Sequence, residues 1–285
     1  MILEEQLELI VQELVVAIPS VTGLGETTLI KPTSFTVQKG EWISLIGANG
    51  SGKSTLLKAI AGMPVNGAQG RVHYTGRKST DGAVVPIVMQ QPEGGIIGAT
   101  PWEDVVAMLE KNSEEGGTIA AQAEEALRAV GLGDRMHQPV ETLSGGQKQL
   151  VAIAACLAVN SSLLLLDEIT SMLDPLMSIE VLEQARSLHA SGTAVIWVTQ
   201  NMDELRPQDR LFVIDDGCLS FDDTAEKLFR RGDGQSASLS AAEQFGFTAP
   251  YSVQVAWELE KSGIKLSQLP FTPEELAEAV TRHGR

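Results

Sequence analysis

At 285 residues the chain suits one large domain with an extension, or two small domains. Hydrophobic residues make up 43% of it, enough for a core, while a net charge of −16 argues against a general DNA or RNA binder, whose footprint is normally basic. No apolar run approaches the roughly 18–20 residues that span a bilayer, and Glu4 and Glu5 stand where a signal peptide is basic. The expectation is a cytoplasmic protein with Cys156 and Cys218 reduced. The four histidines show no ligand spacing.

Residues 7–18 and 34–38 read as strands, and Lys39-Gly40 turns the chain into a third at 43–46. Directly after it, residues 47–55 read Gly-Ala-Asn-Gly-Ser-Gly-Lys-Ser-Thr, a complete G-x-x-x-x-G-K-[ST] phosphate loop between a strand and a helix-like run at 55–61. Its glycines let the backbone fold around an anion. The N–H groups of Asn49, Gly50, Ser51, Gly52 and Thr55, with the helix N-terminus behind them, are candidates to cradle phosphates. Lys53 would reach the β- and γ-phosphates and Ser54 would ligate Mg²⁺.

Strand character returns at 71–74 and 84–89. Thr100-Pro101-Trp102-Glu103 is a capping box with proline at the first helical position. Ile119, Ala123, Leu127 and Val130 share a helix face ended by Gly131. In Leu143-Ser144-Gly145-Gly146-Gln147-Lys148-Gln149, Ser144 reads as an N-cap and Gly145-Gly146 expose N–H groups, a second anion site. The helix continues through Leu150, Ile153, Ala154 and Leu157.

Residues 162–166 and 194–199 read as buried parallel strands. The first delivers Asp167 and Glu168 at its carboxyl tip, where open α/β sheets bind ligands. Asp167 would hold Mg²⁺ through water, and Glu168 would polarise the attacking water. A closing hairpin (211–214 with 218–221), a short capped helix (223–230) and a linker (231–240) follow. The tail, 241–285, holds two or three short helices, one opened by Thr272-Pro273-Glu274-Glu275.

Phosphate loop, LSGGQ, leucine run with Asp-Glu, and Ser171-Met172-Leu173-Asp174, in that order, resemble the ATP-binding-cassette ATPases over roughly residues 7–230. The resemblance implies an α/β P-loop NTPase of ABC type: a RecA-like core, an antiparallel β subdomain, a helical subdomain and a small C-terminal helical extension. The expected boundaries are 1–232 for the ATPase domain, with its helical subdomain at about 95–160, and 233–285 for the extension.

It also implies a head-to-tail pair, homo- or heterodimeric, in which the phosphate loop of one subunit and Ser144, Gly145, Gly146 and Gln147 of the other sandwich each ATP. Gln90 resembles the glutamine that touches Mg²⁺ and the water and links to the membrane partner; Gln91 is the alternative by a one-residue slip. Asp174 resembles the residue that crosses the dimer interface.

Gln90-Gln91-Pro92-Glu93, the run from Gly98-Ala99-Thr100 to Glu103-Asp104-Val105, and the tail are similar to the energy-coupling factor (ECF) importer ATPases. That resemblance implies a subunit on the cytoplasmic face of the membrane, beside a transmembrane coupling subunit and a substrate-binding membrane subunit, importing a vitamin or metal ion and binding no nucleic acid. In that family the tail contributes to pairing.

Two positions depart from the family pattern. Gln200 stands where the switch histidine is expected; it can donate but cannot become a cation. Ile18 stands near the adenine-stacking aromatic, a loss of up to roughly 1–3 kcal/mol by analogy with base stacking. The alternatives are an ATPase of another transporter class and a weakly hydrolysing regulatory subunit of a heterodimer.

Overall fold

Three short runs set the centre of the fold. β3 (Trp42–Ile46), β6 (Leu163–Asp167) and β7 (Ala194–Val198) are buried at every position. Strands apolar on both faces need cover on both, so they lie inside a parallel sheet. The computed structural model, which describes residues 6–19, 25–75, 85–90, 95–112, 119–159, 161–232 and 239–283, arranges six strands in the order β5-β6-β7-β3-β8-β9. Here β5 is Ile87–Val88, β8 is Arg210–Asp215 and β9 is Cys218–Thr224. All neighbours pair parallel except β9, which returns antiparallel to β8.

Side chains alternate across these strands with period two. Leu163, Leu165, Ala194, Ile196 and Val198 face one cluster, which also holds Leu56, Leu57 and Ile60 of α1 (Lys53–Ile60). That cluster is closed by a three-stranded antiparallel sheet, β2-β1-β4, formed by β1 (Leu7–Pro19), β2 (Glu26–Gln38) and β4 (Ala68–Tyr74). Leu164, Leu166, Val195 and Trp197 face the opposite cluster. There they meet α5 (Pro175–Ala190) and the helical layer of α2 (Pro101–Asn112), α3 (Ile119–Ala129) and α4 (Gly145–Ala158).

Three local expectations shift. The strand expected over 84–89 is only Ile87–Val88, with residue 84 outside the described residues. Pro86 has no N–H to give a ladder, and β5 is an edge strand. β2 begins eight residues before the expected 34, because its first part pairs polar residues with β1, as in Thr27 opposite Ile18. The helix expected at 223–230 is α6 (Ala225–Phe229), since Asp223 still belongs to β9 and pairs with Leu211.

Beyond residues 233–238, which lie outside the described residues, come α7 (Ala241–Gln244), α8 (Tyr251–Lys261) and α9 (Pro273–His283). Ala242, Val253, Trp257 and Phe271 share a core cluster with Ile46, Leu211, Val213, Leu228 and Phe229. Trp257 Nε1 donates to the Phe229 carbonyl at 3.2 Å. The Arg231 guanidinium lies 3.9 Å from the Trp257 ring centre, and its Nε donates to Glu243 Oε2 at 3.0 Å.

The Arg231 hydrogen bonds hold the Glu243 carboxyl down at about 2. A depressed carboxyl adds stability above its unfolded value, near 4.3, that is lost as pH falls through the folded value. Glu243→Gln should therefore cost about 1–2 kcal/mol at neutral pH. Urea unfolding of both proteins should show that difference shrinking between about pH 4.3 and about pH 2.

Candidate active site

β3 runs into a glycine-rich turn and then α1. Gly52, the residue before α1, has φ 106°, a left-handed conformation that favours glycine. A Cβ there would lie 2.5 Å from Ile30 Cδ1 and 2.9 Å from the Leu29 carbonyl oxygen, so only glycine lets the loop pass under β2. Asn49 and Gly50 are exposed, Ser51 is buried, and Ser54 and Thr55 begin the helix half-buried. Lys53 is 5% exposed. Its Nζ donates to the carbonyls of Gly47 (2.9 Å) and Ala48 (3.1 Å) and lies 3.5 Å from Glu168 Oε1.

β6 ends in Asp167, 2% exposed, and Glu168. Glu168 has φ 49°, rare for a non-glycine residue and a conformation that surroundings must hold. Its N–H donates to the Val198 carbonyl at 3.1 Å, and its own carbonyl accepts from the Ser171 N–H (3.1 Å) and hydroxyl (2.7 Å). β7 brings Gln200 opposite. Gln200 Nε2 donates to Glu168 Oε1 and to Asn49 Oδ1, both at 2.7 Å. Loops after three different strands thus meet at one amide.

Burial raises the Asp167 carboxyl above its ordinary value, opposed by a hydrogen bond from Ser54. Asp167 Oδ1 has no hydrogen-bond partner among the described residues. A buried carboxylate oxygen without a donor is costly, and a divalent cation beside Ser54 and Asp167 would relieve it. The donor set, one hydroxyl and one carboxylate, fits Mg²⁺, which is bound through few protein ligands.

Gln90 lines the same cleft of about 860 Å³ as Asn49, Glu168 and Gln200. Its Nε2 donates to Ser171 Oγ at 2.9 Å, while its carbonyl accepts from Gln149 Nε2 at 3.0 Å. Gln91, Pro92 and Glu93 lie outside the described residues. Ser144 and Gln147 form the capping box of α4: Ser144 Oγ accepts from the Gln147 N–H at 3.3 Å, and Gln147 Oε1 from the Ser144 N–H at 3.0 Å. Gly145 and Gly146 follow at the first helical positions, whose N–H groups have no intrahelical acceptor. None of these four lines the Glu168 cleft. Asp174 caps α5, accepting from the Leu176 and Met177 N–H groups at 3.1 Å.

Ser171, Gln149 and Glu204 were not legible as functional from sequence. Ser171 was visible only as part of a motif. Gln149 likewise stood only at the end of the Leu143–Gln149 motif, Glu204 is a polar residue in an acidic run, and only their partners in other elements mark them.

A family model described as ABC transporter matches residues 30–171. The energy-coupling factor transporter ATP-binding protein EcfA1 of Geobacillus kaustophilus is 36% identical, over 88% of this chain and 90% of that protein. Its counterpart from Levilactobacillus brevis is 37% identical, over 83% and 91%. Among solved structures, cbiO1 from Clostridium perfringens, part of the ABC transporter complex cbiONQ, superposes with a TM-score of 0.65 at 25% identity, over 79% of this chain and 91% of that one. A dimeric ATP-binding cassette in a post-hydrolysis state with ADP and phosphate shares the fold, with a TM-score of 0.64. The chain belongs to the ATP-binding-cassette transporter family, among its energy-coupling factor ATPases, and is an ATP hydrolase.

Proposed function

We propose that this ATPase powers uptake of a vitamin or metal ion through separate membrane subunits, from the cytoplasmic face of the membrane. The observation that carries the site reading is the convergence of Lys53, Asn49, Glu168 and Gln200 on the carboxyl edge of β3, β6 and β7. ATP is the substrate. The N–H groups of residues 49–55 and Lys53 bind its phosphates. Ser54, Asp167 and Gln90 hold Mg²⁺, which supplies charge neutralisation at the phosphates when bound. Glu168 polarises the attacking water, and Gln200 orients Glu168 as a neutral donor, its second N–H passing from Asn49 to the γ-phosphate when ATP binds.

Pairing completes the site. Ser144, Gly145, Gly146 and Gln147 act on the nucleotide of a second ATPase subunit, and Asp174 lies at that junction. Met172, Leu176 and Ile179, 69%, 80% and 55% exposed, present apolar surface there for the partner to cover. The extension, 233–285, serves pairing rather than nucleotide binding. The transmembrane coupling subunit docks on a groove lined by Ile96, Gly98, Ala99, Pro139 and Val140, beside an Ile97 that is 81% exposed.

Gln200 favours a second reading within this function: a slow site that works beside a subunit carrying histidine. The amide uses its donors on Glu168 and Asn49 and has no proton to shuttle.

Three experiments test these assignments. Glu168→Gln should keep ATP binding, trap the closed pair and cut turnover by about 10²-fold or more, while Lys53→Ala should lose binding. Wild-type turnover by Glu168→Gln in the assembled transporter would remove Glu168 from the chemistry. Gln200→His should raise steady-state turnover; fast hydrolysis by the unaltered chain, unchanged or reduced by the histidine, would favour a fully competent site.

The third concerns Asp167. Its raised value means that ionisation weakens the fold, so it is stabilising at low pH and this is lost as pH rises through the folded value. Asp167→Asn should raise the melting temperature of the nucleotide-free chain at neutral pH by about 2–4 °C, the equivalent of about 1 kcal/mol. The same change should abolish the further rise that Mg²⁺ with ATP gives the wild type.

A further inference from the structure

Behind Glu168 and Gln200 a second carboxylate is buried. Glu204 is 7% exposed, in the 3₁₀ turn that follows β7. Its Oε1 accepts from Thr170 Oγ1 at 2.7 Å and its Oε2 from Trp197 Nε1 at 2.8 Å. Both donors are themselves buried. Thr170 lies just beyond Glu168, and Trp197 just before Gln200.

The turn holding Glu204 is anchored from behind. Arg186 of α5 donates to the Glu204 carbonyl at 3.2 Å and forks onto Asp209 at 2.7 and 2.5 Å. Its guanidinium lies 3.6 Å from the Trp42 ring centre, and Trp42 stacks on Trp197 at 5.6 Å.

Burying a carboxylate is costly, and an apolar side chain of similar size would fill this space at less cost. Two charge-assisted hydrogen bonds offset part of that cost. What the carboxylate adds over an apolar residue is a rigid link between two loops. One loop carries Glu168 with its strained backbone; the other carries Gln200, whose side chain is exposed.

We propose that Glu204 is a positioning residue that clamps the loop after β6 to the loop after β7 and so sets the separation of Glu168 and Gln200. The proposal rests on the reading of those two residues given above. Glu204 does not touch the reacting atoms. Its effect passes through Thr170 on one side and through Trp197 and its own turn on the other.

The test is made on the full chain in its transporter complex, with hydrogen–deuterium exchange measured on the full chain alone. Thr170→Val keeps the side-chain shape and removes one bond of the clamp. Thr170→Ser keeps the bond. Glu204→Gln keeps both bonds, because the threonine hydroxyl can turn to accept from the amide.

Thr170→Val should lower kcat for ATP at least about tenfold, as expected from misplacing a reacting group. It should leave KM within about threefold, since substrate binding is untouched. Exchange should rise in both 168–174 and 200–205, whereas the single variants Thr170→Ser and Glu204→Gln should keep kcat near the wild-type value. A folded Thr170→Val with wild-type kcat, or exchange that rises in 168–174 alone, would overturn the clamp. Should Thr170→Val not fold, Trp197→Phe cuts the other bond and must itself lower kcat and raise exchange in 200–205; if it does neither, the clamp is overturned. Glu168→Gln is run alongside. If that variant turns over normally, the hydrolytic reading fails, and exchange alone then decides whether the two loops are joined.

Discussion

Parallel strands buried on both faces deliver all their carboxyl ends to one edge, and the chemistry of this chain follows from that constraint. β7 lies between β6 and β3, and Val198 is in register with both Asp167 and Leu45. The residues that follow those positions therefore leave the sheet side by side. Gln200 meets Asn49, 151 positions away, and Glu168, 32 positions away, because of strand order. No local sequence preference would bring them together. The left-handed backbone of Glu168 is tolerable in the same frame, since Val198 and Ser171 satisfy its N–H and carbonyl.

Legibility from sequence followed the range of the interaction. The phosphate loop was readable because a glycine at a left-handed position, a lysine and a serine at set offsets are all local demands of anion binding. The leucine run into Asp167-Glu168 was readable because burial on both faces erases alternation. β2 was half missed, since Glu26, Thr27 and Thr28 satisfy the backbone of a sheet edge without an apolar pattern. The strand over 84–89 is shorter than its apolar run because Pro86 has no N–H to give the ladder. Glu204, Gln149 and Ser171 escaped for a third reason. Their partners lie in other elements, and a single sequence carries no pairing information.

The tail packs on the core even though a stretch of linker-like composition precedes it. Arg231 to Ser240 is polar and glycine-bearing. Yet Ala242, Val253, Trp257 and Phe271 bury against Ile46, the last residue of the strand that enters the phosphate loop, and against β8 and α6. The flank of β3 is thereby covered by chain that carries no phosphate-binding motif. Arg231 serves this junction twice, as an ion-pair partner for Glu243 and as a flat cation over Trp257, a combination lysine would not reproduce.

A net charge of −16 does not bar the chain from binding a polyanion, because charge acts over a limited distance. Exposed charges are screened beyond about 8–10 Å at ordinary ionic strength. At the phosphate loop, the N-terminus of α1 and the buried ammonium of Lys53 act at contact range in a low dielectric, where a single charge outweighs many remote ones. The acidic residues at the same edge oppose this field, Glu168 most directly at 3.5 Å from Lys53 Nζ, and each is tied to neighbours that fix where its charge lies. Glu168 is held by Lys53 and Gln200, and Glu204 by Thr170 and Trp197. Among the carboxylates of the described residues, Asp167 keeps a buried oxygen without a donor. That unmet demand is what supports the proposed role of Asp167 toward a divalent cation.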